Sequence, residues 1–305
     1  MPETPIAREV ERKSPAAGGK LRGRMLVLAA ALLWSSSGLF AKSPIFQDWP
    51  ADVRGPMLAF WRAAFAALAL LPLVRRPRWR GELVPLGVSF AAMNLTYLSA
   101  MALTTAANAI WLQSTAPWWV FLLGVLLLGE RMARRDLLTL GFGVLGVGVI
   151  LFFELRGQNQ TGVALGLASG VCYAGVVVCM RRLRHENPAW LVAMSHLVTA
   201  GVLLPWVVSI GPWPTALQLL VLAGFGTFQM ALPYMLLILG LRSIGSQEAV
   251  GLGLIEPVLM PLWVYLAWGE TPAGWTLAGA ALILTGLVLR YGVPGSMTPG
   301  ENGND

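Results

Sequence analysis

Stretches of 17 to 23 mostly apolar residues recur ten times along the chain, separated by short clusters of charge, Gly and Pro. A bilayer hydrocarbon core about 30 Å thick is crossed by about 20 helical residues, so the pattern predicts ten transmembrane helices. They run from Met25 to Ile45, Pro56 to Val74, Leu83 to Leu103, Ala106 to Leu128, Leu137 to Phe153, Gly162 to Met180, Trp190 to Ile210, Leu217 to Leu239, Gln247 to Trp268 and Gly274 to Tyr291. The loops are mostly shorter than about a dozen residues, which makes successive helices antiparallel neighbours. Residues 1–24 and 292–305, rich in Pro, Gly and charge, cannot bury apolar area and are expected to be disordered tails. The first apolar run passes through Trp34 and Ser35-Ser36-Ser37 without a clear cleavage site, and so reads as a retained helix rather than a signal peptide.

Composition agrees with a lipid solvent. Apolar residues fill 56% of the 305 positions and charged residues 12%, about half the charged share of a soluble domain. The net charge of +7 does not point to nucleic acid, because the Lys and Arg sit at the ends of apolar segments. With the N-terminus inside, 18 of them fall on the cytoplasmic side against Lys42, Arg54 and Arg156 outside, with Arg62 left within a span. That asymmetry places both termini in the cytoplasm and supports an even number of spans. Cys172 and Cys179 lie two helical turns apart on one predicted helix, too far for a disulfide. No His or carboxylate stands at ligand spacing beside them, so no metal site is expected.

The chain also carries an internal repeat. Pro117 matches Pro257, Gly129-Glu130 matches Gly269-Glu270 and Gly146 matches Gly286, all at an offset of 140 residues. Leu71-Pro72 resembles Leu204-Pro205, and Trp34 to Lys42 resembles Tyr173 to Arg181. Each unit spans about five helices, 25–153 and 162–291. An odd number of helices sets the two copies in opposite orientations, and the loop charges agree: Arg131, Arg134 and Arg135 follow Glu130, whereas no cation follows Glu270 directly. The predicted fold is therefore an all-α integral membrane protein of ten transmembrane helices in two inverted five-helix repeats, a recurring plan of secondary transporters.

Phe60-Trp61-Arg62, Pro117 with Leu128-Gly129-Glu130, Gly143 to Val149, Gly226-Thr227, Leu241-Arg242, Glu256-Pro257, Gly269-Glu270 and Leu282 to Leu287 occur in an order and spacing that resemble the drug/metabolite transporter superfamily, specifically its EamA-type members. The likeness covers about Met25 to Tyr291. It implies two five-helix repeats and movement of metabolites or drugs, often export, without naming one substrate.

Ionisable groups within a span face the protein interior or a wet cavity by default. Glu256 lies in the ninth span on one face with Met260 and Trp263, beside Pro257, whose missing N–H frees backbone groups for a partner. It reads as a cation or proton site, or as a carboxylate tied into packing. Arg62, about six residues into the second span, serves a cavity or snorkels to the outer boundary. His196, near Ser195 and Thr199, is a ligand or a hydrogen-bonded packing residue. Together the three groups suit a zwitterion. Asn94 and Tyr97 share a face of the third helix, and Trp111, Ser114, Thr115 and Trp118 share one of the fourth. Pro117 and Pro257 mark expected helix breaks. Trp34, Ser35, Ser37, Gln113, Tyr173, Gln229 and Tyr234 form a second rank, while Trp49, Trp79, Trp213 and Trp275 suit an interfacial belt. Gly162, Gly166, Gly170 and Ala174 form a small-residue ladder on the sixth helix, and Gly141, Gly143, Gly146 and Gly148 allow a neighbouring helix or a second protomer close to the fifth.

These features predict a secondary transporter in the cell membrane, an exporter by its resemblance, moving small organic, amino-acid-like or amphipathic solutes by alternating access. The sequence holds no phosphate-binding loop for an ATP motor, no His-Glu-x-x-His and no paired carboxylates, so neither catalysis nor a cofactor is expected. A lipid scramblase or a non-catalytic membrane partner is the alternative.

Overall fold

The computed structural model describes residues 17–75, 77–120, 122, 134–154, 156, 160–183, 185–210, 213–244, 249 and 252–291. The Gly129-Glu130 turn, Arg131, most of the second half of the fourth expected span and most of the opening of the ninth lie outside the described residues. So do most of the two expected tails.

Among the described residues every regular element is a helix. The helices are α1 (Ala17–Ser35), α2 (Ser37–Ala41), α3 (Ala51–Leu70), α4 (Leu83–Leu103), α5 (Ala106–Gln113), α6 (Arg134–Glu154), α7 (Gln160–Arg182), α8 (Pro188–Ile210), α9 (Ala216–Gly226), α10 (Leu232–Gly240), α11 (Ile255–Trp268) and α12 (Gly274–Tyr291). Among the described residues six helical segments are long and apolar enough to cross a membrane: Gly19–Ala41, Ala51–Leu73, Leu83–Leu103, Gln160–Met180, Pro188–Ser209 and Ala216–Gly240. Leu138–Glu154, Ile255–Trp268 and Gly274–Leu289 are shorter apolar helices. Helix α1 begins at Ala17, so Ala17 to Arg24, expected in the tail, are helical. Gly23 packs against Gly240 and Ser243, and this tertiary contact holds the added turns.

Several apolar segments are interrupted, and side-chain chemistry explains where. At Ser35 and Ser36 the hydroxyls donate to the carbonyls of Leu32 and Leu33 at 2.7 and 2.6 Å, a local bond that competes with the helix ladder. Ser114 and Thr115 do the same to Ile110 and Leu112 at 2.7 and 2.6 Å, where α5 ends before helical structure resumes at residues 116–120. Pro117 then falls in the first turn of the resumed helix, where its missing N–H leaves no ladder bond unmade. Pro257 sits in the same situation, since α11 starts at Ile255 after a turn at Leu254. Between α9 and α10, residues Thr227–Ala231 form a π-helical turn. Such irregular backbone at membrane depth is tolerated where protein or a polar cavity satisfies the freed groups.

The packing pairs α4 with α7 and α1 with α10, α5 with α7 and α1 with α11, and α3 with α8, α6 with α12 and α5 with α11. Each relation recurs when every segment is exchanged for the one five spans later. The ladder on α7 explains one of these contacts: Gly166 lies against Leu112 and Gly170 against Thr115, so a side chain at either position would meet the fourth segment. On α6, Gly146 faces the carbonyl of Gly279, which gives its close neighbour within the same chain. Trp79 and Trp213 are exposed as a belt requires, whereas Trp49 is buried against Phe46 with ring centroids 5.0 Å apart.

Candidate functional site

Arg62 is carried on α3, one wall of the bundle, and is 2% exposed. It does not snorkel to a boundary. Its guanidinium donates to the side-chain oxygen of Asn94 on α4 and to that of Gln229 in the π-helical turn, the latter at 3.4 Å, and it lies 4.9 Å from the centroid of the Phe225 ring. Every one of these partners is neutral. No carboxylate among the described residues pairs with Arg62, and its Nε has no hydrogen-bond partner. The π turn is what makes the contact: widening the helix by one residue turns Gln229 inward, where its amide nitrogen also donates to the Trp34 carbonyl at 3.3 Å.

Asn94 is fixed from behind by its own donation to the Phe90 carbonyl at 3.0 Å, and the Phe90 ring meets the His196 ring edge-on at 4.8 Å. His196 is fully buried, yet neither ring nitrogen has a hydrogen-bond partner. Ser195 and Thr199 do not supply one, because their hydroxyls donate to the carbonyls of Leu191 and Ser195.

Tyr97, one turn after Asn94 on α4, leads from this cluster toward α11, where its hydroxyl donates to the sulfur of Met260, one turn after Glu256, at 3.5 Å. Tyr97 approaches Ser37 at 3.3 Å, and Ser37 donates to the Met260 sulfur at 3.0 Å. Trp263, one turn further along α11, donates to Ser35 at 3.0 Å, and Trp34 packs its ring against Tyr234 at 5.1 Å. Glu256, Met260 and Trp263 thus share the face expected of them. Glu256 stands in the first turn of α11, where a carboxylate is favoured by the exposed N–H groups of the helix start. It has no hydrogen bond or ion pair among the described residues.

The expected fourth-helix face does not assemble, because the chain turns at Ser114 and Thr115 and breaks the helical register. Thr115 faces Gly170 and accepts from the Trp119 indole at 3.0 Å, while Trp118 packs on α6 at Gly143. Trp111 is a core residue. Sequence reasoning had no means of finding Phe225 or Phe90, since aromatic residues inside apolar runs carry no distinguishing signal.

A second set of polar contacts closes the end of the bundle on the far side of Ser37. Lys42 pairs with Glu270 at 2.9 Å and donates to the Thr104 carbonyl at 2.5 Å. The other oxygen of Glu270 accepts from the backbone N–H of Ala106 at 2.7 Å and so satisfies the first turn of α5. Gly269, with φ of 70°, makes the turn that aims Glu270 there, in a region that L side chains avoid. At the opposite end Arg80 pairs with Glu186 at 2.6 Å, and Asn187 and Trp190 donate to the carbonyls of Arg75 and Arg78 at 3.0 Å.

Arg62 and Glu256, each without an ion pair among the described residues, and Tyr97 between their helices are polar groups set within apolar helices. An uncharacterized transporter of Archaeoglobus fulgidus is 30% identical over 277 residues, covering 88% of this chain and 96% of that protein. The pseudopaline exporter CntI of Pseudomonas aeruginosa is 26% identical and covers 87% of this chain and 94% of its own length. The threonine/homoserine exporter RhtA of Escherichia coli is 25% identical over 78% of this chain and 75% of its own. A solved crystal structure, 22% identical, shares the fold with a TM-score of 0.62 over 90% of this chain and 99% of that one. Two stretches, residues 21–152 and 160–292, each match the EamA-like transporter family. The chain is a multi-pass membrane protein and belongs to the EamA-like transporter family.

Proposed function

We propose that this protein is a secondary exporter of small zwitterionic, amino-acid-like solutes, with its binding site between Arg62 and Glu256. Ten spans form two inverted five-helix repeats in the cell membrane, with both termini cytoplasmic, and the site opens alternately to the two sides. The two successive family matches support the repeat, as do packing relations that persist when each segment is exchanged for the one five spans later.

One observation carries the choice of solute: Arg62 and Glu256 are of opposite charge, Tyr97 stands between their helices, and neither has an ion pair among the described residues. A solute carboxylate takes the guanidinium that Asn94 and Gln229 hold in place. Its ammonium takes Glu256, with the faces of Tyr97, Tyr173 and Tyr234 providing cation–π surface around it. His196, with both nitrogens unpartnered behind Phe90, serves the carboxylate end. The named exports of RhtA and CntI, threonine or homoserine and pseudopaline, support an organic solute of this kind.

Competition in everted vesicles tests it. An amino acid should compete with labelled solute about 10- to 100-fold better than the matching amine without its carboxylate or acid without its amine, the share of one charged hydrogen bond. Equal competition by all three contradicts the two-charge site.

A further inference from the structure

We infer that Lys42 and Glu270 form the latch that closes one end of the bundle over the Arg62–Glu256 site, an assignment that rests on the alternating-access reading. The pair joins three places that are far apart in sequence. Lys42 follows the first span, Thr104 closes α4 and Ala106 opens α5, and Glu270 lies between α11 and α12. One ammonium and one carboxylate therefore tie elements of both halves of the chain.

The layer beneath the pair is a seal between the same elements. Gly38 lies against Val264 and Met260, and the Trp268 indole donates to the Leu39 carbonyl at 3.1 Å. Thr276 donates to Asn108 at 2.8 Å, and Asn108 to Thr104 at 3.0 Å. Ser37, which touches Tyr97 and Met260 in the site, lies only five residues before Lys42. Parting of the Lys42 and Glu270 elements would therefore uncover the site directly.

The exposure of the pair fits a closure that must reopen in each cycle. The Lys42 and Glu270 side chains are 18% and 23% exposed, so neither charge is fully enclosed by protein. A fully buried pair would resist opening, because breaking it leaves uncompensated charges. Gly269 contributes the fixed turn that returns Glu270 to the same place.

The test uses the full-length protein in sealed vesicles, with Cys172 and Cys179 replaced by Ser and Val264→Cys as reporter, since Val264 is 1% exposed beneath the latch. A membrane-impermeant maleimide is added to the face bearing Lys42. Glu270→Gln, which keeps an acceptor for Ala106, and Lys42→Met should each speed labelling about tenfold, a tenfold shift between closed and open states. The double variant should label no faster than either single one, because the two residues act as one unit. Raising salt to about 1 M, where screening acts within about 3 Å, should speed labelling in the parent and leave the double variant unchanged.

Unchanged labelling in both single variants, or effects that multiply in the double, overturns the latch. If either single variant does not fold, the other together with the salt response decides it. Labelling reads closure without any solute, so its failure is separate from failure of the transport reading, which shows as a parent protein that moves no solute.

Discussion

Replacing Arg62 by Met lowers uptake at sub-saturating solute by about 10- to 100-fold, the worth of a charged hydrogen bond, while the melting temperature stays within about 5 °C of the parent. The two readings separate because Arg62 has no counter-ion to lose. Removing the charge relieves the cost of holding a desolvated guanidinium. That gain is offset by leaving the Asn94 and Gln229 oxygens without their donor. Arg62→Lys keeps a charge but loses the planar fork that reaches both amides, so uptake recovers only in part. Uptake within a few-fold of the parent in Arg62→Met contradicts a role in solute binding. Collapse of stability with uptake per folded molecule unchanged makes the residue structural.

Replacing Glu256 by Gln lowers transport at least about tenfold, since a neutral amide holds an ammonium less strongly than a carboxylate does, and flattens its response to pH. The substitution keeps shape and hydrogen-bonding capacity, so the helix start at Ile255 and the contacts of Met260 and Trp263 survive. What disappears is the group that can take a proton or a cation. In the parent, the rate changes across the pH range in which the carboxylate gains and loses its proton. Transport assayed at several pH values in both proteins is the measurement, and an unchanged rate and profile in Glu256→Gln removes the proton-and-cation role.

These two residues were the ones the sequence marked most clearly, and the reason is physical. A charge inside an apolar run is costly enough that its position carries information without knowledge of neighbours. Asn94 and Tyr97 were legible as polar groups in lipid-length helices, and Gln229 only in the second rank. Trp111, Ser114, Thr115 and Trp118 misled because periodicity assumes an unbroken helix, and the hydroxyls of Ser114 and Thr115 bind their own carbonyls and break it. The π turn that brings Gln229 to Arg62 has no such local cue, nor do the rings of Phe90 and Phe225. Glu270 was legible as part of a repeated Gly-Glu turn. Its pairing with Lys42 depends on the approach of segments more than 220 positions apart, which hydropathy does not encode. The helical, lipid-spanning character of the chain was readable because each apolar run meets the length requirement independently of its neighbours.

A protein that itself moves a small organic solute through a site between Arg62 and Glu256 exchanges that solute across a sealed bilayer. Purified protein in liposomes preloaded with unlabelled amino acid, challenged with labelled amino acid outside, measures it most directly. Label should accumulate by counterflow in the parent and fail to do so in Arg62→Met, with no movement of labelled lipid between leaflets. Lipid scrambling without solute counterflow, or equal counterflow with and without Arg62, contradicts it.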